Sequence, residues 1–328
     1  MLGSRLSSPV TSLSFRPVNY PQDLAKISDL LLAWRLAHDL RQYPTLWRVR
    51  LFLTSRVWDP TLDTRLWESA SGQSVGLALL WRRCSNSDYL ALEVFPHPSF
   101  TTMELLPEML SWGEARTREI AAEQNTPLKL FAIDSSGNPT AVELFTQAGF
   151  TLQPPNPEGH NLYLSRPLPG AIPTPTLPPG YTLRPLAIED DLEAYQALSN
   201  FAKVNPLFLK EQLASPEYRH LVIQDPSGAF AAYCECSIWR GEWQRGKPRI
   251  GWIDYMETRS DLQRMGLGRA VLLAGMKQLQ AWGAETAMLV TISTNLPAVG
   301  LYQSTGFTPY EGIEPPVYRK EFPVKPPG

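Results

Sequence analysis

Apolar positions along this chain fall into two alternating rhythms. Leu24, Ile27, Leu31 and Trp34 recur at helical spacing within residues 22–41, and a second helical piece follows over 43–55. Strand-like runs are predicted over 64–69, 74–82 and 89–95, the first two joined near Ser71-Gly72. A helix over 103–124 and a strand over 128–133 come next. The second half repeats the rhythm. It opens with a strand over 181–186, helices over 190–202 and 208–214, and strands over 220–224 and 229–239 flanking the turn Asp225-Pro226-Ser227-Gly228. A strand over 250–258 leads to a helix with Leu267, Val271, Ala274, Leu279 and Trp282 at near-helical spacing and Gly283 just past its end. A strand over 287–292 and a helix N-capped by Asn295 follow. A last strand, over 317–322, is expected to close the second sheet.

The two halves echo each other in detail. Asn138, Ala141, Leu144, Gly149 and Phe150 match Asn295, Ala298, Leu301, Gly306 and Phe307 at one constant offset, and Phe15-Arg16-Pro17 echoes Leu183-Arg184-Pro185. Order and spacing agree across most of each half, so the chain is an internal repeat. The expected division is 1–168, a proline-rich connector over 169–180, and 181–328. The prolines make that connector extended and semi-rigid, with a ligand for a proline-recognition module as the alternative.

Composition narrows the chemistry. A chain of 328 residues, 43% hydrophobic, fills two cores comfortably. A net charge of −2 gives no general attraction to nucleic acid or to anionic membranes. Cys84, Cys234 and Cys236 make no disulfide framework; Cys234 and Cys236 share one strand face, and free thiols suit a reducing cytoplasm, the expected location. The N-terminus lacks an apolar leader core, and runs such as 75–81 are too short to span a bilayer. His38, His97, His160 and His220 are scattered with no metal-site spacing, so no metal is expected.

The candidate chemistry centres on Gln263-Arg264-Met265-Gly266-Leu267-Gly268-Arg269. It lies where a strand turns into a helix. Such a turn presents unpaired N–H groups and the positive end of the helix dipole, which suits a phosphate or pyrophosphate. Glycine lets the backbone come close to the ligand, and Arg264 and Arg269 add charge. The spacing has neither the Lys-Ser/Thr ending of a P-loop nor the third glycine of a dinucleotide fingerprint. A Gly-rich helix start without a ligand is the plain alternative. The stretch resembles the Gln/Arg-x-x-Gly-x-Gly/Ala coenzyme A loop of GNAT-type N-acetyltransferases. Asn295 to Phe307 resembles the Asn-x-x-Ala-x-x-Leu-Tyr-x-x-x-Gly-Phe pattern of the last GNAT helix, at the correct distance downstream. The resemblance covers roughly 181–322, with a fainter version over the first half. It implies two tandem GNAT folds of the α/β (α+β) class, each a mixed, mostly antiparallel twisted sheet flanked by helices.

It also implies acetyl-CoA as cosubstrate, held by residues 263–269 with Asn295 and Ala298. Met256 and Thr258 then match residues whose backbone pairs with the pantetheine arm, and Tyr302 matches the tyrosine aimed at the leaving sulfur. An alkyl amine acceptor is mostly ammonium at neutral pH, so a base is needed. Asp254 has the strand parity of Met256 and Thr258; Glu257, of opposite parity unless a bulge intervenes, is the second candidate. The expected activity is acetyl transfer to a primary amine of a small molecule or peptide. The alternatives are a mycothiol synthase-like enzyme and an acyl-CoA-binding regulator without turnover. Phe201, Phe208, Trp239 and Trp243 suggest an aromatic acceptor pocket, though core packing explains any one of them equally well. The first half puts Phe145 where Tyr302 lies and has Pro98 and Glu104 in place of the glycine pair. It reads as a degenerate copy that braces the other half or walls its acceptor pocket, or as a regulatory site.

Overall fold

The computed structural model describes residues 13–38, 46–54, 59–82, 88–100, 102–133, 139–154, 160–198, 206–310 and 316–323. Cys84, Asn138 and Phe201, and the side chain of Phe208, lie outside this set. In chain order the elements are β1 (Ser14–Arg16), α1 (Leu24–Ala37), α2 (Leu46–Thr54), α3 (Pro60–Asp63), β2 (Thr64–Glu68), β3 (Ser74–Trp81), β4 (Tyr89–Pro96), α4 (Thr102–Gln124), β5 (Leu128–Ile133), α5 (Pro139–Gln147), β6 (Thr151–Leu152) and β7 (Asn161–Pro167). Then come β8 (Thr182–Pro185), α6 (Ile188–Leu198), α7 (Pro206–Ala214), β9 (Tyr218–Gln224), β10 (Phe230–Ile238), α8 (Arg240–Trp243), β11 (Ile250–Thr258), α9 (Leu267–Trp282), β12 (Thr286–Ile292), α10 (Leu296–Ser304), β13 (Thr308–Pro309) and β14 (Val317–Phe322).

They form two seven-stranded mixed sheets, β1-β2-β3-β4-β5-β14-β6 and β13-β7-β12-β11-β10-β9-β8. Every pairing is antiparallel except β4 with β5 and β11 with β12, each crossed over by a long helix. Two compact units result: 1–40 with 57–154 and 315–328, and 41–56 with 155–314.

In the first unit, Leu105, Leu106, Met109 and Leu110 of α4 bury against Val75, Leu92 and Leu130 of the sheet. The second unit follows the same logic more tightly. All nine residues of β10 are buried, because helices cover both of its faces. Its even positions Cys234 and Cys236 pack on α9; Tyr233 packs with Tyr195 of α6 and Leu209 of α7. The α9 contact is close enough to need a glycine. A Cβ on Gly275 would stand 2.7 Å from Cys234 Sγ and 3.0 Å from Ile253 Cδ1.

The expectation for 317–322 is corrected. This segment is a strand, but it enters the first sheet, pairing with β5 from Val317↔Ile133 to Phe322↔Leu128 and with β6 on its other side. The matching slot beside β12 in the second sheet is filled by β7, from Thr286↔Pro167 to Ile292↔Asn161. With β7 already paired there, no edge of β12 is left for a later strand. The helix expected to begin at residue 22 starts at Leu24, and α2 belongs to the second unit, where it packs beside α7.

Candidate active site

The site is built where β11 and β12 part. Their parallel ladder holds only Ile250↔Thr286, Gly251↔Ala287 and Trp252↔Met288, although β11 runs on to Thr258 and β12 to Ile292. Beyond Trp252, β12 no longer ladders with β11 on the side away from β10. Unpaired N–H and C=O groups beside a wedge between strands suit an extended, amide-bearing ligand.

At the mouth of the wedge, a short 3₁₀ turn at Ser260–Leu262 leads into the loop before α9. Gln263, Arg264, Met265 and Gly266 are exposed, and Leu267 is fully buried, anchoring the helix start. Two residues lie in the left-handed region, Arg264 at φ 65° and Gly266 at φ 84°. The first helical bond is Ala270 N–H to the Gly266 carbonyl. The N–H groups of Leu267, Gly268 and Arg269 accordingly carry no protein hydrogen bond, which is the donor set a pyrophosphate uses. Gly268 faces the wedge: a Cβ there would lie 3.2 Å from Thr258 Oγ1 and 3.4 Å from Leu301 Cδ2. Arg264 is free to face an anion, whereas Arg269 donates to the Ser304 carbonyl oxygen at 3.1 Å and so ties α9 to the end of α10.

The strand alternation used to place Asp254 fails locally. The β10–β11 register passes from Glu235↔Tyr255 to Cys236↔Ile253, so Asp254 is the extra residue of a β-bulge. Met256 and Thr258 keep to the α9 face, where both approach Gly268. Asp254 turns instead towards Glu235 and the Ser237 hydroxyl, on the face of Tyr255 and Glu257. Both candidate carboxylates thus share the face opposite the one expected for Asp254. Both Asp254 oxygens are buried without a hydrogen bond. Burial, chiefly, holds its carboxyl well above the usual range, with Glu235 adding to the effect and Ser237 opposing it. Glu257 lies 3.4 Å from the Tyr233 hydroxyl, which donates to it.

Tyr302 comes from α10. Asn295 caps that helix by accepting from Ala298 N–H at 3.4 Å, and a proline occupies its first turn. The Tyr302 ring packs on Phe307, with centroids 6.1 Å apart, and is 8% exposed. Burial, then Cys234 and Tyr255, push its pKa above the ordinary phenol value, so it stands as a proton donor. Trp239 precedes α8 and Trp243 ends it, and Trp243 packs against the core of this unit. The residues that sequence reasoning passed over are Tyr195, His220 and Glu235, a buried polar group behind Asp254. Their signal was present: a glutamate inside the fully buried β10 and a histidine beside the apolar Leu221-Val222-Ile223 run of β9.

The described residues of the first unit do not show these features. Its β4 and β5 stay paired from Tyr89↔Lys129 to Glu93↔Ile133, the last residue of β5. In the described part of the connection to α4, two N–H groups are spent internally, Phe100 on the His97 carbonyl at 3.0 Å and Ser99 on His97 Nδ1 at 3.1 Å. Phe145 is fully buried and stacks on Tyr318 at 4.3 Å.

No helix among the described residues is long and apolar enough to cross a membrane, and no cluster of metal-ligating side chains occurs among them. Residues 183–307 match the model of the Acetyltransferase (GNAT) family. A mycothiol acetyltransferase of Streptomyces bingchenggensis is 31% identical over 150 residues, 43% of this chain and 47% of that protein. The chain thus matches about half the length of such relatives. A tandem GNAT protein from the clavulanic acid biosynthesis pathway shares the fold with a TM-score of 0.62 at 15% identity, over 97% of this chain and all of that one. A GCN5-related N-acetyltransferase from Sphaerobacter thermophilus does so with a TM-score of 0.55 at 19% identity, over 96% of each chain. The open wedge, the glycine cradle and the family match fall on the same segment, so residues 183–307 are similar to the GNAT acetyltransferases, and the chain shares the fold of a tandem GNAT protein.

Proposed function

We propose that the second unit is an acetyl-CoA-dependent N-acetyltransferase that moves an acetyl group to a primary amine by direct attack. The features that support this reading are the parting of β11 from β12 after Trp252, the free N–H groups at the start of α9, and Tyr302. Residues 263–269 hold the pyrophosphate, and β11 from Met256 to Thr258 aligns the pantetheine amides. Backbone N–H groups of β11 beside the thioester stabilise the oxyanion of the tetrahedral intermediate. Asp254 or Glu257 takes the ammonium proton on the acceptor side, and Tyr302 protonates the departing thiolate. Thiol release from acetyl-CoA over a panel of primary amines, with a mycothiol-type acceptor included because of the relatives' names, tests it. Amine-dependent release supports the transferase. Tight acetyl-CoA binding with no release for any acceptor supports the acyl-CoA-binding regulator instead.

A further inference from the structure

The β11 bulge leaves Asp254 without a cross-strand partner next to the Glu235↔Tyr255 pair, where the Glu235 charge acts on its carboxyl. Glu235 is 5% exposed, and the Tyr195 hydroxyl donates to its Oε1. Its Oε2 and both Asp254 oxygens are buried with no hydrogen bond. His220, 1% exposed, places Nδ1 3.7 Å from Glu235 Oε1. Burial lowers that imidazole to about 3, so it is neutral and supplies no counter-charge. The other titratable groups around the pair are Tyr218 on β9, Tyr233 on β10, Tyr255 and Glu257 on β11, and the Cys234 and Cys236 thiols from the opposite face. Two cations are near. Arg50 of α2 engages Glu211 at 3.2 Å and acts on Tyr218, and Arg219 acts on His220 and Cys236. Neither is among the charges that act on Glu235 or Asp254.

Adjacent buried carboxyls without a cation cannot both be ionised near neutrality, and they titrate as a pair. We propose that Glu235 is a positioning residue for Asp254: the two carboxyls hold one proton between them, and Glu235, fixed by Tyr195, sets the protonation state in which Asp254 meets the acceptor amine. The proposal rests on the N-acetyltransferase reading. In that reaction the shared proton passes to Glu235, the acceptor ammonium gives one proton to Asp254, and the freed lone pair forms the C–N bond at the thioester carbonyl. The C–S bond breaks with its electrons on sulfur, and the sulfur takes a proton from Tyr302. The second ammonium proton replaces the one Tyr302 gave up, and the proton taken by Asp254 passes to solvent, which restores both groups. Overall, one ammonium and one thioester give one amide, one thiol and one proton.

Carboxyl-carbon NMR titration of the full chain labelled at Asp and Glu, without substrate, reads the pair directly. In the wild type the Asp254 signal is expected to titrate in two steps. In Glu235→Gln it collapses to one step at lower pH, and in Tyr195→Phe the steps move up, because the tyrosine hydrogen bond favours ionised Glu235. In Asp254→Asn the Glu235 signal simplifies in the same way, which keeps the test open if Glu235→Gln fails to fold. The acid limb of kcat/KM against pH should move with the NMR value, down by about one pH unit or more in Glu235→Gln, with acetyl-CoA affinity unchanged. A single Asp254 step unaltered in folded Glu235→Gln, or acetyl transfer with an unmoved acid limb, overturns the proposal. Paired titration in a protein that acetylates no amine leaves the pair standing and sinks the transferase reading.

Discussion

Lys320 Nζ lies 2.7 Å from Glu114 Oε1, joining the last strand of the chain to a helix 206 residues earlier. The same ammonium sits over the rings of Phe150 and Phe322. Because β14 is held between β5 and β6, the first unit cannot complete its sheet until the whole chain is made. A chain ending at residue 315 is expected to lose the first unit's cooperative unfolding transition, and hydrogen exchange should show β5 and β6 unprotected. Lys320→Ala, which removes the ion pair but leaves the ladder, should cost only about 1–2 kcal/mol, since Glu114 keeps Arg118 at 2.6 Å. Native-like protection in the truncated chain would show that β14 is dispensable.

The cradle before α9 makes a sharper prediction. A Cβ at Gly266 meets nothing within 4 Å, so a side chain fits, but φ 84° costs an L-residue about 1–2 kcal/mol. Gly266→Asp also sets a carboxylate among the N–H groups meant for a pyrophosphate. The variant is expected to stay folded and to bind acetyl-CoA at least about 100-fold more weakly by calorimetry, roughly 2.8 kcal/mol. Unchanged affinity would remove the loop from the binding site.

How much of this was legible depends on what kind of signal each feature leaves. The glycine loop and the Asn295 cap announce themselves through residue types with narrow backbone preferences, and β11 occupies the residues that alternation assigned to it. The bulge at Asp254 left no such mark: no glycine or proline interrupts 252–258, and register is settled by β10. The destination of β14 was equally silent, because alternation gives a strand its faces and not its neighbours. The docking of α2 beside α7 is a tertiary choice of the same kind. Glu235 and His220 were visible as polar residues in apolar strands, but their meaning needed the bulge that places Asp254 beside them.

Tyr302 separates binding from chemistry. Its hydroxyl is assigned to the departing sulfur, and its ring is packed on Phe307, so Tyr302→Phe keeps the packing and loses the proton. Turnover on an active amine is expected to fall about 100-fold or more while acetyl-CoA affinity stays within a few-fold. Wild-type turnover in the variant would mean that the thiolate leaves unaided or is protonated elsewhere.

Two GNAT-like folds invite the expectation of two cofactors, yet one acetyl-CoA per chain is predicted. A coenzyme A site needs a gap between the parallel strands and free N–H groups at the following helix. In the second unit the ladder stops at Trp252↔Met288, and three successive N–H groups are open at the start of α9. In the first unit the ladder continues to Glu93↔Ile133, and after β4 the Ser99 and Phe100 N–H groups bond to His97. A diphosphate placed there would give up water for few compensating hydrogen bonds, and a pantetheine arm would have to break strand pairs to enter. Phe145, stacked on Tyr318, fills the place of Tyr302 with a ring that has no proton to give. Isothermal titration with acetyl-CoA should therefore give a single event with a stoichiometry of about one in the wild type and none in Gly266→Asp. A second event that survives Gly266→Asp would show that the first unit opens its β4–β5 ladder to take a cofactor, and that its closed form is only one of two states.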